Sequence, residues 1–204
     1  MKKYIIALIV ILLSACSLGV ATTPKQKVAE FLDKYKNQDQ TVLSQLDESI
    51  KNEYTDDDYR ERYRTLMINQ YKNMEYKIKD EIIEDDNAVV EVEVTVYDYA
   101  SAIRNSNNYL NTNPDEFTTD EATIAEENDA DDETTRESNT DSGLLGNYDE
   151  SKFIDYKLTQ MENISDTITY TIEFTLTKIN GEWQLDSLSN ADIEKLHGIY
   201  NSQD

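Results

Sequence analysis

The stretch from Ala88 to Tyr97 constrains the fold more than any other part of the chain. Val90, Val92, Val94 and Val96 fall on one side of an extended backbone, and Glu91, Glu93 and Thr95 fall on the other. Branching at Cβ favours a strand over a helix. A strand of this kind has one dry and one wet face, and the dry face must be covered by another layer. A second alternation, Ile168, Tyr170, Ile172, Phe174 and Leu176, repeats the pattern near the other end of the chain. Each long strand has a predicted hairpin partner. Tyr76, Ile78 and Ile82 precede the first, across a turn at Asp85-Asp86-Asn87, and Trp183 and Leu185 follow the second, across Asn180-Gly181.

The cover is read from helical spacing. Val28, Phe31, Leu32 and Tyr35 lie on one helical face, and Asn37-Gln38-Asp39-Gln40 interrupts it. Val42, Leu43, Leu46 and Ile50 give a second stripe. For a third helix the sequence predicts Thr55 as cap, Asp58 closing the box and Tyr54 stapled to Tyr59. Its apolar stripe is Tyr59, Tyr63, Leu66, Met67, Tyr71 and Met74. Core packing is the first explanation of those tyrosines, although aromatic faces also stack on sugars. Arg60, Arg62 and Arg64 read as a salt-laced surface, with Asp56 to Arg60 and Asp58 to Arg62 as pairs one turn apart. Further helices are expected through Tyr99, Ala102, Ile103 and Leu110, ending near Asn113-Pro114. Another is capped by Asp149 and carries Phe153, Ile154, Leu158 and Met161. A last one starts at Ser189 with Asp192 in the box and Leu188 against Ile193, its stripe running on through Leu196 and Tyr200.

Between these, residues 113–147 differ in kind. They hold twelve acids against one base, Arg136, with few large apolar groups apart from Phe117, Ile124, Leu144 and Leu145. Such a composition does not offset its ordering entropy, so a disordered acidic insert is expected.

The expected fold class is therefore α+β: a curved four-stranded antiparallel sheet of two hairpins, covered by N-terminal helices. The single domain would run over residues 27–112 and 148–200 around the insert. This order, with Gly181-Glu182-Trp183-Gln184-Leu185 and the closing Leu185-Asp186-Ser187-Leu188-Ser189-Asn190-Ala191-Asp192-Ile193, resembles the cone-shaped nuclear-transport-factor-2-like and cystatin-like lipoproteins of Gram-positive bacteria. The resemblance implies a curved sheet wrapped on a long helix. It implies little about activity, because that fold carries enzymes, ligand binders and interaction domains.

The N-terminus is legible on separate grounds. Met1-Lys2-Lys3 and the apolar run from Ile5 to Leu13 read as a secretory signal, the run being too short to span a bilayer, which takes about 20 apolar residues. Leu13-Ser14-Ala15-Cys16 then resembles the lipobox of bacterial lipoproteins. That resemblance implies cleavage between Ala15 and Cys16 and a diacylglycerol on the Cys16 thiol, with residues 1–15 removed and residues 16–26 left as lipidated cysteine and tether. A buried cysteine, a free thiol or an intermolecular bridge are the other readings of a sole cysteine, and none accounts for its place behind the signal. Two or more acyl chains make such an anchoring stable. A tether from Ser17 to Gln26 spans roughly 35 Å at full extension. The expected location is the extracytoplasmic face of the cell membrane.

Charge narrows the partners. The formal net charge is −23, and becomes more negative once Lys2 and Lys3 leave with the signal. Such a surface repels nucleic-acid phosphates and anionic lipids, so no nucleic-acid partner is expected. His197, the sole histidine, reads as a polar flank on the last helical turn, where the dipole favours a cation. A zinc site of histidine and cysteine fails for want of ligands. Asp129-Ala130-Asp131-Asp132-Glu133 begins like an EF-hand loop, but Thr134 stands in place of its glycine and Thr140 in place of its final glutamate. Enzymes of the cone fold use a tyrosine and a carboxylate, which Tyr97, Asp98 and Tyr99 would offer here. No catalytic, cofactor-binding or metal residue is assigned. The leading expectation is a lipid-anchored, non-catalytic domain that binds a protein or envelope component. A pocket for an apolar or sugar-like ligand is the second reading, and an enzyme the third.

Overall fold

The computed structural model describes residues 22–119 and 148–202. Among these the chain forms α1 (Pro24–Lys36), α2 (Gln40–Glu53), α3 (Asp57–Asn73), β1 (Glu75–Glu84), β2 (Asn87–Tyr97), α4 (Tyr99–Thr112), a 3-10 turn (Pro114–Phe117), α5 (Glu150–Glu162), β3 (Thr167–Ile179), β4 (Glu182–Leu185) and α6 (Asn190–His197). The strands make one antiparallel sheet in the order β1-β2-β3-β4. The fold is α+β, built on the two hairpins that the alternating pattern predicts.

The sheet is held by its central pair. β2 and β3 stay in register from Asn87 opposite Thr177 to Tyr97 opposite Thr167. Val90, Val92 and Val94 are fully buried, with Ile172 and Phe174 beside them. Each such side chain contributes about 1.5–3 kcal/mol relative to exposure. α1 supplies the cover: Phe31 meets Phe174 edge-on at 5.9 Å between ring centres, and Leu32 and Tyr35 join the same core. The second hairpin turns on Asn180 (φ 53°) and Gly181 (φ 85°), the left-handed geometry expected there.

Several boundaries depart from the sequence reading, each for a local reason. α1 starts at Pro24, not near residue 27. Thr23 accepts from the Gln26 N–H, the Gln26 side chain accepts from the Thr23 N–H, and proline occupies the first turn. α3 is capped by Asp56 rather than Thr55, its carboxylate accepting from the N–H groups of Asp58 and Tyr59. Tyr54 closes α2 and packs on Tyr63 at 5.4 Å, so it is no staple for Tyr59. Ile82 is 61% exposed rather than core. Ile78 pairs with Val92 but Glu81 with Val90, so a bulge inserts one residue into β1 and turns Ile82 to the wet face.

The acidic insert also begins later than residue 113. The 3-10 turn packs Phe117, only 3% exposed, against Phe153, Tyr156 and Tyr109. Thr118 forms a bridge with Tyr148, the Asp149 N–H donates to the Phe117 carbonyl at 2.8 Å, and the Lys152 ammonium donates to the Thr118 carbonyl at 2.7 Å. The ends of the segment are thus stapled together, and the remainder of the predicted insert, 120–147, lies outside the described residues.

Candidate functional site

The dry side of the sheet is occupied by the protein's own side chains. Val90, Val92, Val94, Ile172, Phe174, Leu176 and Trp183 meet Leu32, Tyr35, Met67 and Tyr71 in one cluster. Among the described residues, the buried polar side chains are Gln70, Ser106 and Ser202. Ser106 Oγ donates to the Ala102 carbonyl within its own helix.

Gln70 does more than fill space. Its Oε1 accepts from the Tyr97 N–H at 2.8 Å, and its Nε2 donates to the carbonyls of Tyr97 (3.1 Å) and His197 (3.0 Å). One amide therefore joins the middle of the cover, the end of β2 and the end of α6. Gly198 completes the junction. Its φ of 71° ends α6 in the left-handed region, and its carbonyl accepts from the Ala100 N–H at 2.7 Å. A Cβ here would stand 2.1 Å from the Tyr97 carbonyl oxygen and 2.3 Å from Gln70 Nε2. The helical stripe gave no sign of Gln70, because an amide at a core position is polar in any sequence pattern.

His197 is not the polar flank expected on the last turn of α6. It is half-buried beside Tyr71, whose hydroxyl lies 3.0 Å from Nε2. Burial pulls its pKa from 6.5 to about 4, so the ring is neutral at pH 7. Burial and then Tyr35 hold the Tyr71 phenol well above its usual value. The Tyr35 ring meets Tyr71 edge-on at 5.1 Å, and burial raises Tyr35 to about 12. These groups are locked in neutral form between helices and sheet, which is the chemistry of a packed polar contact.

The tyrosine–carboxylate candidates do not converge. Asp98 caps α4 by accepting from the Ser101 N–H at 3.0 Å. The buried Tyr99 hydroxyl donates to the Leu66 carbonyl at 3.2 Å, and burial raises its pKa to about 12. Tyr97 lies on the Tyr99 ring at 6.0 Å, at the half-buried end of β2. The arginines of α3 take other partners than the expected ones: Arg60 pairs along the helix but with Asp57 rather than Asp56, Arg62 pairs with Asp155 and Glu162 on α5, and Arg64 with Asp47 on α2. Arg62 and Arg64 tie helices together. The lipobox residues Ala15 and Cys16 lie outside the described residues, as does the EF-hand-like run from Asp129 to Glu133.

Two outer surfaces remain. The wet face of the sheet carries Glu91, Glu93 and Thr95 on β2 opposite Glu173, Thr171 and Thr169 on β3, with the Thr95 and Thr169 hydroxyls 2.7 Å apart. Glu91 and Glu173 face each other directly, an arrangement of like charges that disfavours the strand pair. The other surface is the end of the sheet with the two hairpins. It carries the exposed Ile82, Ile83 and Ile179, and it receives the start of α1. The Lys25 N–H donates to Glu81 Oε1 at 3.1 Å, and Lys25 Nζ donates to the Lys79 carbonyl at 3.2 Å.

Comparison with known protein families, with curated proteins and with solved structures finds no match to this chain.

Proposed function

We propose that this chain is a lipoprotein anchored through Cys16 to the outer face of the cell membrane, where its folded domain binds a protein or envelope component without catalysing a reaction. The observation that carries the binding reading is the filled dry face of the sheet. Valine, isoleucine, phenylalanine and tryptophan side chains occupy the space that a ligand pocket of this architecture would need. Recognition then falls to the exterior, where the wet face offers carboxylates and threonine hydroxyls on a broad antiparallel pair. The anchoring reading rests on Leu13-Ser14-Ala15-Cys16 behind the apolar run.

Two measurements test the parts separately. Cell fractionation should find the wild-type chain with membranes and Cys16→Ala released; equal membrane association of the two overturns the anchor. For the domain, photo-crosslinking residues at Thr95 and Thr171 should trap a defined envelope partner in intact cells, and residues at core-facing positions should not. Native mass spectrometry that finds a small molecule retained by the purified domain would instead favour the pocket reading.

A further inference from the structure

We propose that the hairpin end of the domain is a membrane-contact surface, with Ile82, Ile83 and Ile179 reaching the headgroup layer of the bilayer that holds the anchor. The proposal rests on the anchoring through Cys16 proposed above. Among the described residues these three are the exposed large hydrophobic side chains, at 61%, 50% and 44%. Ile179 lies almost a hundred residues from the adjacent Ile82 and Ile83, yet the sheet brings all three to one end. Ile82 pairs with Val89, Ile83 with Ala88 and Ile179 with Glu182. The Lys178 N–H donates to the Asp86 carbonyl at 2.7 Å, which ties the second hairpin to the turn of the first.

The chain enters the domain beside the half of β1 that leads to this end. Lys25, in the first turn of α1, is bonded to both Lys79 and Glu81, and Glu81 directly precedes Ile82. Only Ser17 to Thr22 separate Cys16 from the capping Thr23. Seven steps of the chain reach roughly 25 Å at full extension. The polar layer of one leaflet occupies roughly 5–8 Å of that span. A lipid on Cys16 therefore keeps the start of α1, and with it the adjoining hairpin half of β1, close to the bilayer.

Charge at this end is mixed: Asp80, Glu81, Glu84, Asp85, Asp86 and Glu182 stand with Lys25, Lys79 and Lys178. The acid-rich stretch between Thr118 and Tyr148 has almost no compensating base, so anionic lipids repel it more strongly than they repel the hairpin end. A second copy of the chain is a poorer occupant. Ile82 and Ile179 lie on the wet face and Ile83 on the dry one, so the three make points rather than a flat patch. Acids between them would oppose their own copies across a two-fold contact.

The test uses the full lipidated chain in vesicles of phosphatidylethanolamine and phosphatidylglycerol. A fluorescent label is placed on Ile82→Cys, Ile179→Cys or, as reference, Thr169→Cys, and nitroxide-bearing lipids serve as quencher. The expected result is at least twofold stronger quenching at positions 82 and 179 than at 169. Equal quenching at all three positions, in protein shown by mass to carry the lipid and to sediment with vesicles, overturns the contact but leaves the anchor standing. Absence of the lipid mass on Cys16 overturns the anchor instead. Burial of the labels at 82 and 179 in lipid-free Cys16→Ala protein, with a dimer in sedimentation, overturns the contact in favour of a second copy.

Discussion

The Tyr71 hydroxyl stands 3.0 Å from Nε2 of His197 and makes the only histidine of the chain a part of the packing. With the imidazole neutral and the phenol protonated, one is free to accept and the other to donate, and neither carries charge into the interior.

Stability should fall in mild acid because of this pair. His197 titrates near 6.5 when unfolded and near 4 when folded, so the unfolded chain binds the proton more readily. The stabilising effect of a neutral His197 is complete above pH 6.5 and is lost as the pH falls toward 4. Allowing for partial exposure, the loss is about 2 kcal/mol. Urea unfolding at stepped pH checks the size, and His197→Gln should remove this part of the pH dependence. As the sole histidine, its ring protons can be followed by NMR without assignment, and a midpoint near 6.5 in the folded protein would refute the buried state.

Gly198→Ala should destabilise far more than Gly181→Ala. Both positions have positive φ, but the added methyl at 198 collides with the Tyr97 carbonyl and Gln70, whereas nothing lies within 4 Å at 181. A cost of about 1 kcal/mol is expected at 181 and more than ~3 kcal/mol at 198. Denaturant midpoints of the two variants settle the ratio.

Gln70→Leu keeps the volume of the core but leaves the Tyr97 N–H and two carbonyls without their partner. The expected loss is roughly 3 kcal/mol, the cost of stranded backbone groups rather than of lost apolar contact. Hydrogen exchange at the Tyr97 amide should accelerate by the same free energy, while amides of the β3–β4 hairpin should change only through global unfolding.

The segment between Thr119 and Tyr148 should be removable. Its ends already meet at the Thr118–Tyr148 bridge, so a short glycine-serine connection replacing 120–147 is expected to shift the melting temperature by only a few degrees. Phe117→Ala, in contrast, should cost about 3–4 kcal/mol, because it empties the centre of the aromatic cluster that holds both ends. Calorimetry on the two variants distinguishes a dispensable segment from a structural one.

Strand identity was legible because alternation is a two-residue signal and the valines of β2 repeat it without interruption. The bulge in β1 was not, since Lys79 and Asp80 look like any polar pair and only the pairing with β2 reveals the extra residue. Thr23-Pro24-Lys25-Gln26 did contain its cap in plain form, ahead of Val28, the first apolar residue of the stripe. The surroundings of His197 and Gln70 were illegible for a deeper reason. Their partners lie as many as 126 and 127 residues away, and no local pattern reports such contacts. The partners of Arg62 and Arg64 were illegible in the same way, because bonds to α5 and α2 win over bonds along the helix.

The bulge in β1 bears on how such domains share a surface. Strand β1 is the outer edge of the sheet, ten residues long, and a regular edge of that length invites pairing with another chain. Here the extra residue breaks the spacing of the free backbone groups, and Lys25 occupies the Lys79 carbonyl beside it. Two molecules brought edge to edge would find no common ladder. Under the anchoring proposed for Cys16, copies confined to one plane and meeting in a similar orientation would find no regular edge to extend.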